Sequence, residues 1–308
     1  MVVQHNLLAM NSNRMLGITT KKQAASTEKL SSGYKINRAA DDAAGLAISE
    51  KMRRQIRGLT QASANAQDGI SCVQTAEGAL NEVHDMLQRI TELAVKGETA
   101  TLTSTDRSYI QTEVQQLMSE IDRVQSTTTF NEQNLLTGEF TSKALQVGAE
   151  AGQHIAITIQ NMSVSGLMDL ATANQGDKEY STGSKTSDIK TAASQVMKDF
   201  YTGFDKDAIS TVVEEKGFAS LNAVVKAMIQ EVSKQRSDLG SVQNRLEHTI
   251  ANLDNIVENT TSAESQIRDT DIATEMVKYS NNNILQQAGT SMLSQANQSN
   301  QLALSLLG

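Results

Sequence analysis

The chain has 308 residues, contains neither proline nor tryptophan, and is only 3% aromatic. This composition excludes a thick aromatic core, because Phe, Tyr and Trp dominate the buried area of globular domains. The net charge of −8 and the pI near 5.1 leave no basic surface for nucleic acid. The lack of proline is typical of uninterrupted helices, because proline removes a donor from the helix interior.

The sequence offers no site for catalysis, a metal or a cofactor. Its four histidines have no companion at ligand spacing (His5, His84, His154 and His248). The single Cys72 excludes an intrachain disulfide framework, and we predict a partly buried, unreactive thiol. Residues 1–13 lack the features of a secretory signal. No stretch approaches the about 18 apolar residues that a membrane span needs, so we expect no membrane insertion.

The N-terminal third predicts a weak helix followed by a long one. Residues 1–32 are weakly amphipathic, Ser31 to Gly33 form a turn signal, and Asn37 to Asp42 read as a loop or helix cap. A helix is then predicted from about Ala43 to Val95. Its apolar stripe has steps of three and four with one slip: Ile56, Leu59, Ser63, Ala66, Ile70, Val73, Ala76, Leu80, Val83, Leu87, Ile90 and Ala94.

A shorter helix and a hairpin follow. Ser104, Thr105 and Asp106 are the N-cap candidates of this helix. The helix ends at Thr127 to Thr129, and its predicted stripe is Ile110, Val114, Leu117, Ile121 and Val124. The segment 144–147 and the alternating isoleucines of 155–159 predict two strands. From about 163 to 207 the periodicity is lost, which indicates a surface insertion that is partly helical near 189–200.

The C-terminal third repeats the pattern of the N-terminal third. A second long stripe comprises Leu221, Val225, Met228, Val232, Gln235, Leu239, Val242, Leu246, Thr249, Leu253, Ile256 and Thr260. Each long stripe corresponds to a helix of roughly 60 Å, and a stripe this narrow needs a partner helix. A break is predicted at Thr260 to Glu264. A last helix from Asp269 carries a stripe of Leu285, Ala288, Met292, Ala296, Ser299, Leu302 and Leu306.

These elements predict a mainly α fold. Both chain ends form a long antiparallel helical rod or coiled-coil bundle, with a small β-hairpin region and a short central insertion. We predict five segments: 1–42 and 263–308 form a terminal coiled-coil domain, 43–165 and 216–262 form the helical rod domain, and 166–215 form the insertion. Polar residues within the stripes weaken a helical seam but can fix its register (Ser63, Gln235 and Thr249).

Several segments of the chain resemble bacterial flagellin. The N-terminal signature is LSSGYKINRAADDAAGLAISEKM at 30–52, GLTQASANAQDGISCVQTAEGALN at 58–81 and LQRITELAV at 87–95. The C-terminal signature is NRLEHTIANL at 244–253, AESQIRDTD at 263–271 and the tail 288–307. The resemblance covers about 1–160 and 215–308, in the same order as in the family.

The resemblance implies a subunit that polymerises into the extracellular filament of the bacterial flagellum for motility. It implies export without a cleaved signal peptide, because the family leaves the cell unfolded through the flagellar export channel. The implied partners are other copies of the chain, a flagellar export chaperone at the C-terminal helix, and the filament cap and hook-junction proteins. The implied polymerisation and chaperone stripe is Leu285, Ala288, Met292, Ala296, Leu302 and Leu306.

The resemblance also implies recognition by the animal receptor Toll-like receptor 5. The receptor-facing motif of the family matches this chain at Gln88, Arg89, Glu92, Leu93 and Glu113. The chain departs from well-recognised relatives by carrying Thr91 and Leu117 in place of arginines. An alternative interpretation is that Arg89 and Glu92 are solvated charges beside a packing stripe.

Three other functions remain open at this stage. A hook–filament junction protein shares the architecture but usually diverges from the quoted signatures. An enzyme, as in flagellins that carry a protease insertion, is disfavoured by the short insertion without a metal site. A secreted or soluble coiled-coil structural protein would leave the terminal apolar stripes unexplained.

Overall fold

The computed structural model describes residues 6–174 and 215–305, which are mainly helical. The described helices are α1 (Leu7–Ser32), α2 (Ala43–Gly97), α3 (Ser104–Thr127), α4 (Val164–Asn174), α5 (Glu215–Arg268) and α6 (Ile272–Ser305). The strands are β1 (Thr129–Phe130), β2 (Gln133–Asn134), β3 (Lys143–Gln146) and β4 (His154–Ile157). The predicted fold class is confirmed: a mainly α chain with small antiparallel strand pairs.

The chain divides into two compact units. The terminal unit consists of the described residues of Met1–Gly58 and Asn255–Gly308, and the central unit consists of those of Leu59–Asp254. Both α2 and α5 contribute residues to each unit, because the boundaries fall inside these two helices. The predicted five-segment division stays a prediction.

The central unit has a large hydrophobic core from α2, α3, α4, α5 and the strand region, and a second, smaller cluster of Ala66, Ile155 and Leu246. Every residue of the two long predicted stripes is buried or half-buried, including the slip between Val73 and Ala76. Helices α2 and α5 run antiparallel here, since Glu77 pairs with Arg236 at 3.7 Å and Ser63 bonds to Asp254 at 3.3 Å. The heptad spacing therefore identified the buried faces of both helices.

The N-cap of α3 lies one residue before the predicted cap residues, and the helix itself begins at Ser104. Thr103 is the N-cap: its hydroxyl accepts the N–H of Asp106 at 3.3 Å, and Asp106 Oδ2 accepts the N–H of Thr103 at 3.1 Å. This reciprocal capping box satisfies two backbone donors. The buried face also differs, because Met118 is buried while Leu117 is half-buried.

The predicted hairpin is confirmed, and a second one was missed. Strands β3 and β4 pair antiparallel, with Ala144 opposite Ala156. Strands β1 and β2 form a two-residue hairpin whose turn residues have positive φ, 48° at Asn131 and 62° at Glu132. Turns of this kind favour Asn followed by Gly. The chain has Glu132 where such turns usually carry glycine, so the Asn-Gly pair that would have predicted this hairpin is absent.

The predicted start of the surface insertion, residue 166, is too early in the chain. Residues from 166 onward were expected at the surface, but α4 starts at Val164 and Leu167 is fully buried in the core. The helix start is stabilised by Ser163, whose hydroxyl accepts the N–H of Gly166 at 3.0 Å, and by Asp122, which accepts the N–H of Val164 at 2.9 Å. The helical segment predicted at 189–200 lies outside the described residues.

The predicted break at 260–264 is wrong, because α5 continues to Arg268. The helix instead ends at Arg268, and the connection between α5 and α6 forms backbone hydrogen bonds with residues 33–35. Thr270 N–H donates to Gly33 O at 2.9 Å, and Lys35 N–H donates to Arg268 O at 2.7 Å. The Thr and Ser residues at 260–262 lower helix propensity only slightly, and tertiary contacts override propensities of this size.

Candidate interaction surfaces

Helices α1 and α6 pack against each other in the terminal unit. They run antiparallel, since Asn6 Nδ2 donates to Ala296 O at 3.0 Å and Leu16 lies against Gly289. From Ala9 to Ser26, the less exposed residues of α1 are Ala9, Ser12, Leu16, Thr19, Gln23 and Ser26. Those of α6 from 275 to 296 are Glu275, Tyr279, Asn282, Asn283, Gln286, Gly289, Leu293 and Ala296. We call these two sets the seam.

The seam has heptad spacing but mostly small or polar side chains. The close approach is made by Gly289, where an added Cβ would lie 3.3 Å from Leu16 Cδ1. Buried apolar area is the main stabilising contribution in helix pairing, and this seam buries little of it. The α1–α6 pair is therefore held weakly by its own contacts.

Most large apolar side chains of both helices are exposed and lie outside the seam. Those exposed are Leu7, Leu8, Met10, Met15 and Ile18 on α1, and Ile272, Met276, Val277, Ile284, Leu285 and Met292 on α6. We call these two sets the outer faces. Exposed large apolar side chains that recur along both helices are typical of a site of protein–protein interaction.

The predicted C-terminal stripe divides between the two sides of α6. Leu285 and Met292 are each 56% exposed, and Ala288 is exposed beside them. Ala296 is only 3% exposed and lies in the seam, so it does not belong to the outer face. Leu302 is part of α6, and Leu306 lies outside the described residues.

Three of the predicted receptor residues form an ion-pair cluster on the central unit. Arg89 on α2 donates to Glu113 on α3 through Nη2 at 2.9 Å and Nε at 3.2 Å, and to Glu92 through Nη1 at 3.0 Å. The hydrogen bonds that Arg89 donates to Glu113 and then to Glu92 raise the pKa of its guanidinium. About half of the Arg89 side chain is exposed, so the cluster is accessible from solvent.

The other two predicted receptor residues lie in different surroundings. Gln88 is exposed on the same helix, and its Nε2 lies 2.8 Å from His84 Nε2. Leu93 is only 3% exposed and belongs to the hydrophobic core of the central unit. The predicted receptor-facing position of Leu93 does not fit this burial. Its packing instead holds the α2 segment that carries Arg89.

The remaining chemistry of the described residues is sparse. Cys72 is buried, and desolvation raises the pKa of its thiol, which keeps it protonated. Within 6–174 and 215–305, no cluster of three His, Cys, Asp or Glu side chains could hold a metal ion. None of the helices in these ranges is long and apolar enough to cross a membrane.

Two family models match most of the chain. The model described as the bacterial flagellin N-terminal helical region matches residues 3–141, and the C-terminal helical region matches residues 222–307. The chain belongs to the bacterial flagellin family. As a flagellin it is a structural protein of the flagellar filament and not an enzyme.

Full-length relatives support the same assignment. The chain is 46% identical to the flagellin of Halalkalibacterium halodurans over 307 residues, and 45% identical to that of Bacillus subtilis over 320 residues. It is 44% identical over 317 residues to a flagellar filament 31.3 kDa core protein of Treponema maltophilum. Each of these alignments covers 100% of both chains. Similarity along the whole length favours a filament subunit over a junction protein or a general coiled-coil scaffold.

Proposed function

We propose that this flagellin polymerises into a motility filament through the outer faces of α1 and α6. The observation that carries the proposal is the arrangement of the terminal helix pair: its seam is small and polar, and its large apolar side chains are exposed. A lone subunit leaves this apolar surface in water, which is unfavourable by roughly 25 cal/mol for each Å². Stacking onto further copies removes it from water.

The geometry of such contacts favours a filament. A surface that binds a different surface of the next copy forms an open helical polymer when the rotation does not close. Because the seam holds α1 and α6 only weakly, we expect the helix pair to become fully ordered only when neighbouring copies cover it. This behaviour suits a subunit that leaves the cell unfolded, without a cleaved signal peptide, and folds at the growing end.

The same surface suits the other proposed partners. Before assembly, an export chaperone would cover the exposed Leu285, Ala288 and Met292 side of α6. After export, the filament cap and hook-junction proteins would contact subunits at the two ends of the polymer. We also propose that 1–42 and 263–308 form the assembling domain.

Seeded growth tests the assembly surface. We expect Leu285→Glu and Met292→Glu each to prevent purified chain from elongating filament fragments, because a carboxylate would be buried at the contact. Ser294→Glu is the matched control, since Ser294 is exposed on α6 but is not one of its large apolar residues. Normal elongation by both charged variants would contradict the proposal.

We further propose that the Arg89 cluster is recognised by Toll-like receptor 5. The supporting features are an exposed arginine with a planar donor fork, two carboxylates within 3.0 Å of it, and exposed Gln88 on the same helix. Arginine is favoured at binding hot spots because one side chain can make several directed hydrogen bonds. A receptor carboxylate would compete with Glu113 for this donor fork.

Binding of purified receptor ectodomain tests this second surface. We expect Arg89→Ala and Glu113→Ala to weaken binding by at least about tenfold, the size of a modest hot spot. Arg123→Ala is the matched control, because Arg123 forms an equally exposed ion pair with Glu120 on α3. If all three variants bind alike, the Arg89 cluster is not the receptor site.

A further inference from the structure

A cleft lies between α2 and the two hairpins of the central unit. Its volume is about 320 Å³. The interior is mainly apolar and includes Cys72, Phe130 and Phe140. The mouth of the cleft is polar and exposed, and it includes Asp68, Gln133 and Lys143. An apolar interior with a few polar groups at its mouth is typical of a binding pocket.

The composition of the cleft suits one tyrosine side chain. The rings of Phe130 and Phe140 can make the offset or edge-to-face contacts that aromatic pairs prefer. The Asp68 carboxylate at the mouth can accept a hydrogen bond from a phenol hydroxyl. Lys143, whose Nζ lies 6.0 Å from the centroid of the Phe140 ring, adds a positive charge that favours acidic neighbours of the tyrosine.

Tyr109 on α3 has these properties. It is 69% exposed, the highest value among the large apolar side chains of the described residues. Asp106 and Glu113 lie about one turn before and after it on the same helix. A tyrosine combines a large apolar ring with a polar tip, and such residues are enriched where proteins contact one another. The central unit therefore carries both an exposed aromatic side chain and a cleft of matching chemistry.

Tyr109 cannot enter the cleft of its own chain. Arg89 on α2 bonds to Glu113, which lies one turn after Tyr109 on α3. Cys72, which lines the cleft, precedes Arg89 by 17 residues on α2. That segment of helix rises roughly 25 Å, which is much farther than a tyrosine side chain extends. An occupant of the cleft must therefore come from another molecule.

One tyrosine is too small a contact to hold two free molecules together. It buries at most about 250 Å², whereas a lasting interface needs about 1,000 Å². The partner must therefore already be held nearby by a separate contact, which raises its effective concentration at the cleft. Copies of the chain that are joined through the outer faces of α1 and α6 meet this condition.

We propose that Tyr109 of one subunit inserts into the cleft of a neighbouring subunit in the same filament. The inference rests on the proposed polymerisation and adds a second, separate contact to it. Tyr109 and the cleft are different surfaces, so each bound copy leaves one free tyrosine and one free cleft. A contact of this kind repeats along an open polymer.

Crosslinking of assembled filaments tests which surfaces meet. The chain carries Thr112→Cys, which is exposed one turn after Tyr109, and Gln133→Cys at the mouth of the cleft, in a Cys72→Ala background. Filaments are treated with a short bismaleimide, dissociated and separated on a denaturing gel. We expect a ladder of multimers, because each copy is linked to the next. Each single-cysteine chain should give no ladder. Only monomers, or dimers without longer products, from the double-cysteine chain would overturn the inference.

Seeded elongation tests the contribution of the tyrosine ring. We expect Tyr109→Ser to raise the subunit concentration needed for elongation by about tenfold, as for a modest hot spot. Tyr109→Phe keeps the ring without the hydroxyl and should lie between Tyr109→Ser and wild type. Gln116→Ala, exposed two turns further along α3, is the matched control and should elongate normally. Circular dichroism should give the same helix content for all these chains. Elongation of Tyr109→Ser at the wild-type concentration would contradict the contact.

The two assembly contacts can fail separately. Normal growth of Leu285→Glu would refute the outer faces, and the crosslinked ladder could still be scored in those filaments. Filaments that grow normally but give no ladder would refute the Tyr109 contact and leave the outer faces as proposed.

Discussion

The Gln235 side chain on α5 joins the backbone that follows β4. Its Nε2 donates to Thr158 O at 3.1 Å, and its Oε1 accepts the N–H of Gln160 at 3.3 Å. Gln235 is only 5% exposed, so its amide group bonds to the backbone of Thr158 and Gln160 and not to water. The polar residue in the α5 stripe therefore fixes the strand region to the helix.

Removing this amide should destabilise the central unit. We expect Gln235→Ala to lower the free energy of unfolding by about 1–3 kcal/mol, because the Thr158 carbonyl and the Gln160 N–H would lose their partner. Urea unfolding followed by circular dichroism measures the change. Gln230→Ala is the control on the exposed side of α5 and should change stability by less than about 0.5 kcal/mol. Equal effects of the two substitutions would contradict the assigned role.

The β1–β2 turn offers a stabilising substitution. Glu132 has a φ of 62°, a region in which a side chain with a Cβ is strained. We expect Glu132→Gly to raise the free energy of unfolding by up to about 1 kcal/mol, since glycine adopts this conformation without strain but loses more entropy on folding. Glu132→Ala keeps the Cβ and should give no such gain. A thermal unfolding series of the three proteins decides the point.

Asp122 predicts a pH dependence of stability. Burial raises the pKa of its carboxyl above the ordinary value of 3.8, although the Val164 N–H opposes the shift. Folding therefore favours the protonated form, so this group costs stability as pH rises from 3.8 through the folded pKa. We expect Asp122→Asn, which keeps an acceptor for Val164, to be at least as stable as wild type at pH 7. Asp122→Ala should be less stable than both.

Unfolding in urea at pH 7 and again near pH 3 tests the sign. The advantage of Asp122→Asn should shrink at the lower pH, where the aspartate is protonated in both states. An advantage that grows on acidification would show that ionised Asp122 stabilises the fold.

Cys72 should react slowly with thiol reagents in the folded chain. The thiol is 5% exposed and its pKa is raised by desolvation, so both access and thiolate fraction are low. Labelling with a chromogenic disulfide at pH 7, with and without denaturing urea, measures the protection. A rate in buffer equal to that in urea would contradict the burial of Cys72.

The long helices could be predicted because their signal is repeated many times. In α2 and α5 each heptad independently identified the buried face, so Ser63 or Thr249 within a stripe did not change the prediction. Helix boundaries that depend on a few residues were predicted less accurately, by one to a few residues. The N-cap of α3 fell on Thr103 because several neighbouring residues can cap, and the start of α4 was missed because one buried turn leaves little periodicity.

The interaction surfaces were predicted only in part. Arg89, Glu92 and Glu113 were expected on one surface, and the structure brings them into one ion-pair cluster. Leu93 was expected beside them, but a one-residue step along α2 rotates it into the core. On α6, Leu285 and Met292 of the predicted stripe are exposed, and their role in assembly stays a prediction. The polar seam of α6 was not anticipated, because it carries few apolar residues.

The sequence by itself determined that the chain has long helices, which faces α2 and α5 bury and the membership of the flagellin family, because these depend on local spacing and residue identity. The tertiary structure decided where α5 ends, since that break depends on Gly33 and Lys35, which lie more than 200 residues away in the chain. It also decided that Ala296 lies in the seam and that most large apolar side chains of α1 and α6 face outward. Both outcomes depend on which helix packs against which, and an amphipathic pattern on one helix does not contain that information.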